Sequence, residues 1–268
     1  NLAVTESWNG TSWTEVNDLN TGRDQLGSCG ADNTSALAFG GQGPLTGKTE
    51  SWNGSAWTEV GDLNEGREAL GGTGISTAAL AIGGYADVPI NAPTALTESW
   101  NGSSWTEVGD LNTARIRLSA GGTTTSALAF GGGPPNTAVT EEWNGTAWAE
   151  INDLNTARNA LAGVGTTAAA LAFGGNDGSP TAATEEFTGP GESIGAWATG
   201  GDLNLARQKI TGCGIQTAAL AAGGDSSGIK DETELYNGST WTEVNDMNTG
   251  RKDFSTVGSQ TSAIAMAG

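Results

Sequence analysis

Residues 49–54 read Thr-Glu-Ser-Trp-Asn-Gly, and this stretch decides the fold because related stretches recur along the whole chain. The recurring aromatic position falls at intervals of 44, 48, 43, 44 and 49 residues, at Trp8, Trp52, Trp100, Trp143, Phe187 and Tyr236. A second aromatic follows each time, at Trp13, Trp57, Trp105, Trp148, Trp197 and Trp241. Repetition with a period of roughly 20–50 residues is typical of propellers and solenoids.

Two further elements complete each copy of the repeat. The motif Asp-Leu/Met-Asn-x-x-Arg follows the second tryptophan, and its arginines are Arg23, Arg67, Arg115, Arg158, Arg207 and Arg251. A run of small residues then ends in a glycine pair in five copies, as at Gly40 and Gly41, and the sixth copy reads Ala267 and Gly268. The chain therefore contains six copies of one unit.

The local sequence of one unit predicts four β-strands. Asn-Gly, as at Asn53 and Gly54, favours a type I′ turn, so the two tryptophans are expected on paired antiparallel strands. The small-residue run Ser35–Phe39 is continuously apolar rather than alternating, which is typical of a strand buried on both faces. No sustained 3.6-residue apolar period competes with this interpretation.

The phase of the two ends predicts how the units assemble. Counted from each arginine, residues 5–16 supply the third and fourth strands, and residues 251–268 supply the first and second. We therefore expect an all-β, six-bladed β-propeller closed by a blade shared between the two ends. It is expected to form a single domain over residues 1–268, with blades at 23–60, 67–108, 115–151, 158–199, 207–244, and 251–268 together with 5–16.

The paired glycines, the aromatic that follows them and the later tryptophan resemble the kelch repeat, and this resemblance covers all six copies. It implies a propeller fold and says little about function. The short tryptophan-rich variant also looks like kelch-like proteins predicted from bacteriophages and marine bacteria. The WD repeat is less similar, because its Gly-His element needs a histidine and the chain has none.

Composition narrows the range of functions. The chain of 268 residues has 11 Lys and Arg against 30 Asp and Glu, a formal net charge of -19, so nucleic acid and membrane partners are not expected. The absence of histidine removes the commonest general base and transition-metal ligand. Cys29 and Cys213 are too few for a zinc site. We therefore expect no cofactor, no metal and no catalytic residues.

Repeated charges allow two interpretations. An aspartate lies five residues before each arginine, at Asp18, Asp62, Asp110, Asp153, Asp202 and Asp246. A glutamate lies two residues before each first aromatic and so on the same strand face, at Glu6, Glu50, Glu98, Glu141, Glu185 and Glu234. These groups either form buried bridges that fix the register of the blades, or they form a ring at the channel mouth that holds a polar or anionic ligand.

The repeated tryptophans also allow two interpretations. Exposed aromatic faces could stack on sugars. Because the same residues recur in every copy, packing between blades is the favoured explanation.

Function is expected where the copies differ, because variable loops on a rigid scaffold usually carry the binding residues. The five links between the second and third strands all differ in sequence, and the longest spans residues 85–96. These links predict a ligand-binding face at Tyr85, Val88, Pro89, Ile90, Asn136, Asn176, Asp177, Asp225 and Lys230. On the opposite face, the hairpin between Phe187 and Trp197 is five residues longer than its counterparts.

Three classes of function remain open. The favoured class is a non-catalytic binding module, virion-associated or extracellular, that recognises a protein or a neutral glycan. The alternative is a structural decoration subunit within a larger chain, phage particle or filament. An enzyme is the least favoured class: oxidases built on kelch-type propellers need histidine ligands, and no carboxylate pair stands apart from the repeat as a glycosidase would require.

Overall fold

The computed structural model describes residues 1–43, 45–86, 91–189 and 195–268, and within them it contains strands and no helix. Six four-stranded antiparallel sheets and one three-stranded sheet form the architecture, which is that of a β-propeller-like protein. No helix of the described part is long and apolar enough to cross a membrane.

The strands are numbered in chain order. The first thirteen are β1 Thr5–Trp8, β2 Trp13–Val16, β3 Gly27–Asp32, β4 Ser35–Phe39, β5 Thr49–Trp52, β6 Trp57–Glu59, β7 Arg67–Glu68, β8 Gly71–Ile75, β9 Ala78–Ile82, β10 Tyr85–Ala86, β11 Ala92–Pro93, β12 Thr97–Trp100 and β13 Trp105–Glu107. The others are β14 Ser119–Thr123, β15 Ser126–Phe130, β16 Thr140–Trp143, β17 Trp148–Glu150, β18 Ala162–Gly165, β19 Ala169–Phe173, β20 Thr184–Thr188, β21 Ala196–Thr199, β22 Thr211–Ile215, β23 Ala218–Asp225, β24 Ile229–Tyr236, β25 Trp241–Glu243, β26 Ser255–Ser259 and β27 Ser262–Met266.

Each four-stranded sheet is a simple meander. Five of them follow the chain: β3-β4-β5-β6, β8-β9-β12-β13, β14-β15-β16-β17, β18-β19-β20-β21 and β22-β23-β24-β25. The sixth has the order β2-β1-β27-β26, so the first two strands of the chain pair with the last two. The register places Thr5 opposite Met266 and Trp8 opposite Ala263.

Two details differ from the prediction. The first strand of each four-stranded sheet begins four residues after its arginine, because the arginine belongs to the segment that connects neighbouring sheets. The seventh sheet was not predicted: β10 and β11, from the long link of the second copy, form a short hairpin that adds to β7.

The Asn-Gly hairpins also differ from the predicted type I′ turns. Trp52 pairs with Trp57, so four residues lie in the loop, and Asn53 precedes the two central residues. Gly54 has a φ of 91°, whereas Asn53 is not among the residues with positive φ. Because a type I′ turn needs positive φ at both central residues, that turn is excluded. The Asn53 side chain instead accepts hydrogen bonds from the N–H groups of Ser55 and Ala56.

The second strands form the core. Ala36, Leu37, Ala38 and Phe39 of β4 are 0% exposed, as the continuous apolar run predicts for a strand covered on both faces. The first strands face one another around a central axis: β3 contacts β8 and β26, β14 contacts β8 and β18, and β22 contacts β18 and β26.

Side chains link each sheet to its neighbour in the same way throughout. The indole N–H of the second tryptophan donates to a threonine hydroxyl of the preceding sheet, as Trp105 does to Thr49 at 3.0 Å. The same bond occurs for Trp13, Trp57, Trp148, Trp197 and Trp241. All ten tryptophans of the chain, the first of each pair as well as the second, are at most 6% exposed, so none offers its face to a sugar.

Candidate functional site

Two opposite faces follow from the meander. We call loop face the one that carries the links between second and third strands and the Asp-Leu/Met-Asn-x-x-Arg segments. The other, which carries the tight turns between paired strands, is the hairpin face. The axis between the first strands opens on both faces, and the residues that differ between copies surround its opening on the loop face.

The centre of the loop face is a ring of backbone hydrogen bonds. Its members lie two positions after each arginine: Gln25, Ala69, Arg117, Ala160, Lys209 and Asp253. The N–H of each donates to the carbonyl of its counterpart in the preceding copy, at 2.7–3.4 Å, and the N–H of Gln25 donates to Asp253 to complete the ring. All six have φ between 50° and 56°, a left-handed conformation that is unusual for residues other than glycine.

Strain in this ring can be measured directly. Left-handed backbone costs a non-glycine residue roughly 1–2 kcal/mol, partly offset in a glycine variant by the larger entropy of its unfolded chain, about 0.4–1 kcal/mol. We expect Ala160→Gly to raise the free energy of unfolding by up to about 1 kcal/mol in urea titrations. Ala56→Gly, at an exposed position without positive φ, is the control and should lower stability. A loss of stability in both variants would show that the ring is unstrained.

Beneath the ring lie a layer of apolar side chains and, below that layer, a central cavity. Six apolar side chains form the layer, all 5–7% exposed: Leu26, Leu70, Leu118, Leu161, Ile210 and Phe254. They separate the opening on the loop face, a cavity of about 90 Å³, from a central cavity of about 140 Å³. The central cavity is lined by glycines and by the hydroxyl-bearing side chains of Ser28, Ser119, Thr211, Ser255 and Thr256.

Side chains, rather than the backbone, determine the chemistry of the opening. Lys209 pairs with Asp253, with Nζ 2.7 Å from Oδ2. Arg117 donates a long hydrogen bond of 3.4 Å from Nη2 to Oε1 of Gln25. The two remaining positions are alanines, which leave space between the longer side chains.

A second tier of residues surrounds the ring. In five copies the residue after the arginine bridges to the residue that follows the glycine pair, as Asn159 does to Asn176 and Gln208 does to Asp225. Side-chain amides extend this tier: Asn136 Nδ2 donates to the carbonyl of Asn176, and Asn159 Nδ2 donates to Oδ1 of Asn136, both at 2.8 Å. Asn176 Nδ2 donates to Oε1 of Gln208 at 2.6 Å.

The predicted loop residues take several roles. Asn136 and Asn176 belong to the amide network, and Asp177 is exposed beside it. Tyr85 donates from its hydroxyl to Asn91 at 2.6 Å, Asp225 pairs with Lys252 at 2.6 Å, and Lys230 lies 3.7 Å from Glu232. Val88, Pro89 and Ile90 lie outside the described residues, as do residues 190–194 of the enlarged hairpin.

The six repeated arginines do not lie at the channel mouth. They are 0–1% exposed, and each forms an ion pair at 2.5–3.1 Å with the repeated glutamate of the sheet that follows it, as Arg67 does with Glu98. The same glutamate accepts two hydrogen bonds from Asn64, through its backbone and side chain. Burial lowers the pKa of Arg67, and the charge of Glu98 opposes that shift.

The repeated aspartates form no ion pair with the arginines, although the charge of the aspartate in the next copy still stabilises the arginine, as Asp110 does for Arg67. All six aspartates are exposed, and each accepts a hydrogen bond from the backbone N–H of a threonine in the third strand, as Asp110 does from Thr97 at 3.2 Å. The other pairs are Asp18 with Thr5, Asp62 with Thr49, Asp153 with Thr140, Asp202 with Thr184 and Asp246 with Thr233. Of the three residue types considered for bridges, Arg and Glu form the ion pairs, because each arginine reaches the glutamate of the sheet that follows it.

Charge is distributed unevenly between the faces. The five bases outside the buried pairs, Lys48, Arg117, Lys209, Lys230 and Lys252, belong to the loop face. Close to them, burial and the charge of Asp253 raise the pKa of the Asp24 carboxyl. On the hairpin face, Asp32 is the one charged residue among the turns that the structure describes.

Sequence reasoning missed the six ring positions. They share no residue type, so no motif marks them. The available signal was the variation itself: two residues after the strictly repeated arginine, one position changes from Gln to Ala, Arg, Ala, Lys and Asp while the residue that follows stays apolar. In the described part of the chain, no cluster of three or more Cys, Asp or Glu residues could hold a metal ion.

Comparison with known proteins identifies a fold. No protein-family model and no curated protein matches the chain. Among solved structures, that of YjhT is similar, with a TM-score of 0.73 over 91% of this chain and 93% of that chain. The two sequences are 12% identical, so the likeness extends to the all-β, propeller-like architecture alone.

Proposed function

We propose that this chain is a six-bladed, kelch-like β-propeller that binds a protein or a neutral glycan through its loop face and catalyses no reaction. One observation carries the proposal: the copies agree wherever they build the sheets and disagree around one opening. The pairing of β1 with β27 and the circular order of contacts between first strands support the closed six-bladed form.

The shape of the loop face supports binding. Links of five different sequences surround a central opening, and their backbones are held by bridges to the second tier. A rigid scaffold that presents variable polar side chains is typical of recognition surfaces. We propose a virion-associated or extracellular setting for this recognition, as the resemblance to kelch-like phage proteins implies.

A direct test compares the two faces. Wild-type protein and the variant Tyr85→Ala, Asp177→Ala, Lys230→Ala would be screened on arrays of neutral glycans and of purified cell-surface proteins. We expect the loop-face variant to lose at least tenfold in affinity for any partner, while melting as the wild type does.

The matched control changes the opposite face. Ile75 and Ile215 are 48% and 57% exposed on the hairpin face, and the variant Ile75→Ser, Ile215→Ser should bind as the wild type does. Affinity lost in the control but kept in the loop-face variant would overturn the assignment of the binding face. An absence of glycan hits would eliminate the glycan and leave the protein partner.

A structural role in assembly is the second candidate, and the hairpin face favours it. Its described turns consist of Asn, Gly, Ser, Thr, Ala, Gln and Ile apart from Asp32. Cores of protein interfaces are depleted of charge, and an uncharged face lets a protein of net charge -19 pack against another subunit without burying carboxylates.

A further inference from the structure

Among the residues that the structure describes, Arg117 is the one base of the loop face that forms no ion pair with an acid. The four lysines each lie close to a carboxylate: Lys48 is 3.2 Å from Glu59, and the other three are paired with Asp253, Glu232 and Asp225. Among the described residues, no carboxylate oxygen lies within 4.0 Å of the Arg117 guanidinium. One positive charge at the opening is therefore not neutralised by an ion pair.

The hydrogen-bonding capacity of Arg117 is also largely unused. Its Nη2 makes one long bond of 3.4 Å to Gln25 Oε1. Its Nε is buried and has no acceptor among the described residues. A guanidinium presents five donors in a rigid plane. A ligand at the opening can accept hydrogen bonds from the Nη1 and Nη2 hydrogens that no described residue accepts.

The surroundings of Arg117 favour a small, singly charged acceptor. Its neighbours in the ring are Ala69 and Ala160, whose methyl side chains form no hydrogen bond with a ligand. The opening has a volume of about 90 Å³, which is enough to admit a small polar group such as a carboxylate. Leu118 and Leu161 line its floor, which strengthens electrostatic attraction above them.

The other charges at the opening limit the charge of the ligand group. Lys209 contributes a second cation on the far side of Ala160, and Asp253 holds it at 2.7 Å. The Asp253 carboxylate also lines the opening and repels a dianion more than a monoanion. The guanidinium fork can pair with a carboxylate or a phosphate through two parallel hydrogen bonds, so it is the single charge of the carboxylate, next to Asp253, that favours it over phosphate.

We propose that the opening on the loop face is a carboxylate-binding site, in which Arg117 grips the carboxylate in a bidentate manner and Lys209 lies beside it. The site rests on the proposed binding function and narrows its ligand: the partner presents a carboxylate, on an acidic protein side chain or, in place of the neutral glycan, on an acidic sugar. Each backbone N–H of the ring already donates to a carbonyl of the ring, so the side chains of Arg117 and Lys209 supply the specificity.

The test observes the Arg117 Nε–H signal by ¹H–¹⁵N NMR during titration with small probes. D-glucuronate represents an acidic sugar, N-acetylglutamate α-amide represents an acidic protein side chain, and D-glucose and N-acetylglutamine α-amide are their neutral counterparts. We expect saturable shifts with one or both acids and none with the neutral probes. The acid that binds more tightly identifies the source of the carboxylate. Inorganic phosphate should bind at least tenfold more weakly than that acid.

Variants make the assignment specific. Arg117→Gln and Arg117→Lys lack the Nε–H signal, so binding by all variants is followed by the backbone amide signals of Ala69 and Ala160, which flank Arg117 in the ring. In these signals Arg117→Gln should abolish the response, Arg117→Lys should weaken binding at least tenfold because lysine lacks the planar fork, and Asp253→Asn should strengthen it several-fold by releasing Lys209. Equal responses to acids and neutral probes, or carboxylate binding that survives Arg117→Gln, would overturn the proposal. A native partner lost in the loop-face variant but kept in Arg117→Gln would refute the carboxylate site and leave the proposed function standing.

Discussion

Replacing Arg115 with alanine should lower the free energy of unfolding by about 3–5 kcal/mol, the usual cost of removing one partner from a buried ion pair. The substitution leaves Glu141, which is 0% exposed, without its charge partner at 2.9 Å. It also removes the hydrogen bonds from Nη1 to the carbonyls of Gly131 and Val139. The two hydrogen bonds from Asn112 to Glu141 remain and only partly compensate.

Urea unfolding followed by tryptophan fluorescence measures this loss. Lys48→Ala is the control, because its pair with Glu59 has side chains 38% and 52% exposed and should be worth about 0–1 kcal/mol. Binding by Arg115→Ala should survive under conditions where the variant is folded. If the melting temperature were unchanged and binding were lost, the structural role of the arginines would be refuted.

Removing residues 1–16 should abolish cooperative folding. The deletion takes away β1 and β2, exposes the edge of β27, and leaves Arg251 without Glu6, its partner at 2.9 Å. The broken ion pair costs about 3–5 kcal/mol, and the lost burial of Trp8 and Trp13 adds about 1.5–3 kcal/mol each. The sum, about 6–11 kcal/mol, is comparable to the whole stability of a typical domain, about 5–15 kcal/mol.

A circular permutant separates loss of the strands from loss of chain continuity. Leu2 N–H donates to the carbonyl of Gly268 at 2.7 Å, so a short Gly-Ser linker can join the two ends. New ends would be opened in the exposed turn between Gly54 and Ser55. We expect the permutant to remain monomeric and to melt cooperatively, whereas the deletion variant should aggregate through the exposed edge. A cooperative melt of the deletion variant at the wild-type temperature would refute closure by the shared sheet.

Much of the fold could be predicted from the sequence because local and repeated signals agree. The continuous apolar run at Ser35–Phe39 and the turn residues at Asn53 and Gly54 mark a buried strand and a hairpin, and the all-β architecture of antiparallel four-stranded sheets is confirmed. The exact turn type was missed, because Asn-Gly fits two registers and only the cross-strand pairing of Trp52 with Trp57 selects one.

Long-range partners were harder to predict. Asp62 and Arg67 are close in sequence and opposite in charge, which favoured a local pair. In the folded chain Arg67 instead meets Glu98, 31 residues further on, because the connecting segment carries it into the next sheet. The ring positions were missed for a related reason: their left-handed backbone is imposed by hydrogen bonds between copies, and a side chain such as that of Ala69 carries no trace of it.

The ring of backbone hydrogen bonds also makes the opening a candidate for protein engineering. Each amide is satisfied by a neighbouring carbonyl, so these six positions keep their left-handed backbone with several different side chains that are not branched at Cβ. Gln, Ala, Arg, Lys and Asp already occupy equivalent positions within one molecule. A library that varies these positions would change the charge and shape of the opening while every member kept the same frame, much as hypervariable loops are exchanged on an antibody framework.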